Sequence, residues 1–111
     1  MSTKAIGDKG EDEAAAYLMA NEYELLERNY RFKRTEVDLI AKLEDIIVFV
    51  EVKARKNDIF GHPESFVDAK KLELLSIAAS YYTESTNWHG DIRFDVIAIT
   101  DGVLTHFEDI S

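Results

Sequence analysis

Residues 35–55, TEVDLIAKLEDIIVFVEVKAR, decide how this chain folds. From Glu36 to Leu43 the pattern alternates, with Val37, Leu39, Ala41 and Leu43 on one face of a strand. Glu44 and Asp45 interrupt it as a two-residue turn, and Ile46 to Arg55 continues as the next strand. The first half of that strand is almost continuously apolar, as befits a central strand buried on both faces. With the turn at Glu44 and Asp45, Leu43 opposes Ile46, Ile40 opposes Phe49, Asp38 opposes Glu51 and Glu36 opposes Lys53. Period-two alternation then sets Glu36, Asp38, Glu51 and Lys53 on one face, bordering the apolar pair Ile40 and Phe49.

Upstream, residues from about 4 to 20 read as a helix whose stripe is Glu11, Ala14, Ala15 and Leu18, with Gly7 and Gly10 weakening its first turns. This helix is the expected cover for the face that carries Ile40 and Phe49. Leu25 to Arg31 reads as a strand. Downstream, DIFGHPES (58–65) breaks the pattern around Gly61 and Pro63. From about Asp68 to Tyr82, Lys71, Leu74, Leu75, Ala78 and Tyr82 share one face of a second helix. Ile92 to Thr100 and Val103 to Phe107 are two further strands, joined by Asp101-Gly102, a type I′ hairpin signal. The order is αβββαββ, an α/β domain with a central sheet and helices packed on it.

Directly opposed side chains on paired strands stand ~4.5–5.5 Å apart at Cβ, and like charges there are destabilising. Asp38 and Glu51 therefore need neutralising. Two carboxylates at that spacing beside Lys53 fit a divalent-cation site with a cationic helper, and Glu11 points a third carboxylate from the packed face of the helix. A second reading stays open at each position: one solvated face of a half-exposed sheet, a surface ion pair between Glu36 and Lys53, and for Glu11 a helix-dipole preference. His62, His89 and His106 share no spacing, and Trp88 reads as a lid on the core.

At 111 residues the chain has room for one domain, spanning 1–111. It has no cysteine, so any metal must be held by carboxylates, His or carbonyls, and oxygen ligands favour Mg²⁺ or Mn²⁺. The N-terminal MSTKAIGDKGEDE has no apolar targeting core and no apolar run is long enough to cross a bilayer, so a cytoplasmic protein with no membrane partner is expected. The net charge of −9 opposes nucleic-acid binding in sum. Its distribution is more permissive. Nine of the 13 basic residues fall in three stretches: Arg28, Arg31, Lys33, Arg34; Lys53, Arg55, Lys56; and Lys70, Lys71. Tyr30 and Phe32 are interleaved with the first, as in basic, aromatic nucleic-acid surfaces, although solvated edge-strand charges would look the same.

An Asp, about a dozen residues, then Glu-x-Lys on the adjacent strand, all preceded by a Glu-bearing helix, resembles the PD-(D/E)XK nuclease superfamily. Here it reads Asp38, then Glu51-Val52-Lys53. The fuller series GDKGEDEAAAYL, ERNYR, EVDLIA, IVFVEVKAR, FVDAKK and RFDVIAI, in order over nearly the whole chain, resembles the YraN-like family, whose fold is similar to that of archaeal Holliday junction resolvases. The resemblance implies a restriction-endonuclease-like core with a mixed sheet. It also implies that Asp38 and Glu51 hold Mg²⁺ or Mn²⁺ with Glu11 beside them, that Lys53 orients the attacking water, and that Lys71 lies near the scissile phosphate. Thr35 departs from the pattern, standing where the family's GE(I/V)D motif has Gly. The implied activity is hydrolysis of DNA phosphodiesters, branched or single-stranded. DNA would be gripped by Arg28, Arg31, Lys33, Arg34, Arg55 and Lys56, with a homodimer or a protein partner supplying more positive surface. A non-catalytic nucleic-acid binding module and a protein-interaction domain are the alternatives.

Overall fold

The computed structural model describes residues 3–55 and 68–110, with side chains over 9–54 and 68–110. Lys56, His62 and the 58–65 loop lie outside the described residues. The elements follow the expected order: α1 (Thr3–Ala20), β1 (Glu24–Phe32), β2 (Thr35–Leu43), β3 (Ile46–Arg55), α2 (Ala69–Ser85), β4 (Asp91–Thr100) and β5 (Val103–Phe107). The five strands form one sheet in the order β1-β2-β3-β4-β5, antiparallel except for the parallel β3–β4 pair, so β3 is central. Asp101 and Gly102 take φ of 51° and 81°, the two left-handed residues that a type I′ turn needs.

Both helices end in the same way. After α1, Tyr23 N–H donates to the Leu18 carbonyl and Glu22 N–H to that of Met19, with Glu22 left-handed at φ 71°. After α2, Trp88 N–H donates to Thr83 and Asn87 N–H to Glu84, with Asn87 at φ 56°. Each is a Schellman closure that satisfies carbonyls the helix leaves unpaired. At its other end α2 is capped by Asp68, whose carboxylate accepts the Lys71 N–H at 2.8 Å.

Each face of the sheet carries one helix. On one, Ala14, Ala15 and Leu18 of α1 pack against Leu39, Ala41, Val48, Val50, Ile97 and Ile99. On the other, Leu75, Ala78, Ala79 and Tyr82 of α2 pack against Val37, Ile40, Ile47, Phe49 and Phe94. This corrects one expectation: Ile40 and Phe49 are covered by α2, not by α1. It corrects a second, since the buried stripe of α2 runs through Ala79 and leaves Leu74 at the surface. Gly10 also has a positive role. A Cβ there would come within 2.8 Å of the Ala54 Cβ, so the glycine lets α1 lie close against β3.

The alternation of β2 slips once. Val37 belongs to the α2 core whereas Leu39 and Ala41 belong to the α1 core. Across the β1–β2 ladder Arg28 pairs with Leu39 and Tyr30 with Val37, and Asn29 between them is left-handed at φ 54°. The two strands reverse faces together at Asn29 and Asp38, a local irregularity of the kind that re-aims a side chain next to a site.

Candidate active site

Asp38 occupies that slip. The β2–β3 ladder runs from Leu43↔Ile46 to Leu39↔Val50 and its registered pairs stop there, so the two central strands part just where the acidic residues begin. The Asp38 carboxylate reaches across the fork and accepts the Val52 N–H at 2.8 Å, in the place of a strand carbonyl. Asp38 and Glu51 are therefore neighbours through a fork and not a registered cross-strand pair.

The expectation of four charged residues on one face is corrected by the same slip. Glu36 pairs with Arg31 at 3.3 Å rather than with Lys53, and its carboxylate lies with those of Glu11 and Asp38, one oxygen of each within 4.8 Å of the others. Glu51 belongs with the other helix: its Oε1 is 3.4 Å from Lys53 Nζ and its Oε2 is 3.7 Å from Lys71 Nζ. The structure brings Glu11 to Asp38, and Lys53 and Lys71 to Glu51. Glu36 joins the cluster, although strand alternation alone marks it only as a residue on the Asp38 face; its spacing two residues before Asp38 is the available signal.

Electrostatically the cluster is under load. Asp38 is pushed up to about 7, first by burial and then by the charge of Glu51, with smaller contributions from Glu11 and Glu36; the Val52 N–H acts in the opposite sense. Glu51 is 8% exposed, and its Oε2 accepts no hydrogen bond among the described residues. A carboxylate held near neutrality by burial and by neighbouring charge, with the oxygens of Glu11 and Glu36 close by, matches the donor set of a hard divalent ion.

The basic stretch divides. Arg28 is engaged by Asp12 at 2.8 Å and Glu11 at 3.7 Å, and Arg31 by Glu36. Lys33 and Arg34, at the exposed tip of the β1–β2 hairpin, have no carboxylate partner among the described residues. Arg55 lies on β3 opposite Thr100, its side chain outside the described set, as is Lys56. Thr35 is buried and pairs with Phe32 across the hairpin.

A second polar network carries no local signal in the sequence. Asp95 on β4 is buried and receives both Nε and a terminal nitrogen of Arg93 (2.9 and 2.8 Å), the Asp109 N–H (2.9 Å) and the His106 ring (2.6 Å). His106 continues to the Tyr17 hydroxyl at 3.0 Å, and Arg93 donates to the Tyr23 hydroxyl at 2.8 Å. These bonds hold Asp95 ionised against its burial, and its pKa is lowered. The network ties α1, β4, β5 and the C-terminal segment together.

A mixed five-stranded sheet with one helix on each face, and an acidic cluster with lysines where two central strands part, fits a restriction-endonuclease-like core. The family model described as uncharacterised protein family UPF0102 matches residues 10–99, and the chain belongs to that family, the YraN-like proteins. It is 47% identical over 100 residues to a UPF0102 protein of Clostridioides difficile strain 630, covering 89% of this chain and 88% of that one. It is also similar to UPF0102 proteins of Christiangramia forsetii (44% over 94 residues; 85% and 79%) and Cytophaga hutchinsonii (42% over 106; 95% and 94%). Among the described residues no helix is long and apolar enough to cross a membrane.

Proposed function

We propose that this protein is a Mg²⁺- or Mn²⁺-dependent endonuclease acting on DNA phosphodiesters. The observation that carries the reading is Asp38, fixed by the Val52 N–H at the fork and pushed up to about 7 among the carboxylates of Glu51, Glu11 and Glu36. A carboxylate whose pKa is raised first by burial and then by neighbouring acids is expensive to keep unless a cation or a reaction uses it. Asp38, Glu11 and Glu36, with one oxygen of each within 4.8 Å of the others, would hold the ion, and Glu51 would join them as the resemblance implies. When bound, the ion supplies Lewis acidity toward the phosphate oxygens.

The remaining work falls to side chains of this chain. Lys53, partly buried beside Glu51, orients the attacking water and meets the negative charge that grows on the phosphate. Glu51 in turn keeps Lys53 in place. Lys71 approaches the same carboxylate from α2 and would meet the scissile phosphate. Lys33 and Arg34 hold neighbouring phosphates, and a second copy or a protein partner adds positive surface to this acidic chain.

A divalent-metal titration coupled to a cleavage panel of single-stranded, duplex, flapped and four-way-junction DNA tests the reading. Metal-dependent cutting of any of these supports it. Binding without cutting under every metal leaves a non-catalytic binding module, and the absence of both leaves a protein-interaction domain.

A further inference from the structure

An apolar groove of about 260 Å³ lies between the β1–β2 hairpin tip and α2, lined by Phe32, Lys33, Arg34, Thr35, Leu74 and Ile77. Its volume is below the ~300–1,000 Å³ of pockets for drug-sized ligands, so a group that fits it is small. Leu74 and Ile77 are 37% and 48% exposed, so α2 presents large apolar side chains to solvent here. One turn further on, Tyr81 stacks on Phe32 with ring centroids 4.6 Å apart. The rim is cationic: Lys33 Nζ stands 5.5 Å from the centre of the Phe32 ring, and neither Lys33 nor Arg34 has a carboxylate partner among the described residues.

We propose that this groove takes one unpaired nucleobase, with the adjoining phosphates held by Lys33 and Arg34. The inference rests on the nuclease reading and deepens it, because it makes the substrate single-stranded, or locally unpaired, at this point. An aromatic and aliphatic floor with a cationic rim is the combination that single-strand binding uses: stacking for the base, charge for the backbone. The groove opens on the α2 side of the sheet, from which Lys71 reaches Glu51. Thr35 in the groove wall and Asp38 at the fork lie three residues apart on β2, ~10 Å along a strand. That is about three stacked nucleotides at ~3.4 Å each, and fewer if the strand is stretched. A paired base is turned inward and cannot enter the groove, so duplex DNA forgoes this interaction.

Fluorescence anisotropy of the full chain in EDTA separates the possibilities, using a labelled short oligothymidylate, an abasic phosphodiester chain of the same length, and a duplex. The oligothymidylate should bind about tenfold more tightly than the abasic chain. Ile77→Gln, which removes the apolar wall without adding charge beside Lys33 and Arg34, should abolish that preference and leave abasic binding unchanged, whereas Lys33→Ala with Arg34→Ala should weaken both. Because Ile77 and Leu74 are surface residues, the fold should survive, and Leu74→Ser with circular dichroism repeats the test with a smaller change. Equal binding of the two single strands, still dependent on Lys33 and Arg34, overturns the groove proposal and leaves the nuclease reading standing. No binding to any of the three, together with no cutting in the metal panel, overturns both. A sedimentation change in Ile77→Gln, with no base preference in the wild type, assigns the groove to a second copy and overturns the proposal.

Discussion

The Asp38 carboxylate accepts the backbone N–H of Val52 at 2.8 Å, closing with a side chain a ladder that the backbone has already left. This one bond places a carboxylate between the two central strands and within the field of Glu51, Glu11 and Glu36. Its cost can be read as a pH dependence.

With EDTA present, stability should fall as pH rises through about 7. The folded-state pKa of Asp38 stands above its ordinary value of 3.8, so the protonated form favours the folded state. That contribution is complete below the ordinary value and is lost as pH climbs through about 7. Asp95 has the opposite sign: its pKa is lowered, so its contribution is present above the ordinary carboxylate value and is lost in acid. Urea midpoints between about pH 5 and 8 should decline in the wild type and flatten in Asp38→Asn. A wild-type midpoint that rises over this window contradicts the assignment.

Replacing Lys53 by Met should leave the thermal response to Mn²⁺ intact and lower cleavage by about 10²–10³-fold, the usual loss when one positioned charge is removed from a transition state. Wild-type rates in Lys53→Met would remove the proposed role.

At the hairpin tip the structure ranks the cations. Arg31 is already paired with Glu36, so Arg31→Ala should change DNA affinity little, while Lys33→Ala with Arg34→Ala should weaken it for all sequences. The salt dependence should flatten by about 0.7 to 0.9 units of slope for each phosphate that is no longer neutralised. An unchanged slope means that the tip is only solvated.

Much of the fold is legible in the residues because turns and periods are local. Glu44-Asp45 and Asp101-Gly102 mark their hairpins, and the limits of β3 and β5 follow from them. The stripe Ala14, Ala15 and Leu18 shows which side of α1 is buried. The slip at Asn29 and Asp38 is invisible, because one left-handed residue inside a strand leaves the hydrophobic pattern almost unchanged while reversing every later side chain. So the right residues can be named and yet assigned to one face. Which helix covers which face, and the meeting of Asp95 with His106, are settled by strand order and β4–β5 pairing, which no local period records.

The Asp95 network is structural, and its loss should be severe. Asp95→Ala strips Arg93 and His106 of a buried partner and should cost about 3–5 kcal/mol, as removal of one member of a buried pair does. Chemical denaturation measures it. A loss near zero would show that the C-terminal segment is not anchored by these bonds.

The most direct test of the proposed metal centre is a set of melting curves for the wild type and Asp38→Asn, each with EDTA and with millimolar Mn²⁺. Asn keeps an oxygen for the Val52 N–H and removes one buried charge, so the apo variant should melt a few degrees higher at neutral pH. Mn²⁺ should raise the melting temperature of the wild type through preferential binding to the folded state, and the variant should lose most of that rise. A destabilised apo variant, together with a wild type that does not respond to Mn²⁺, would contradict the metal site.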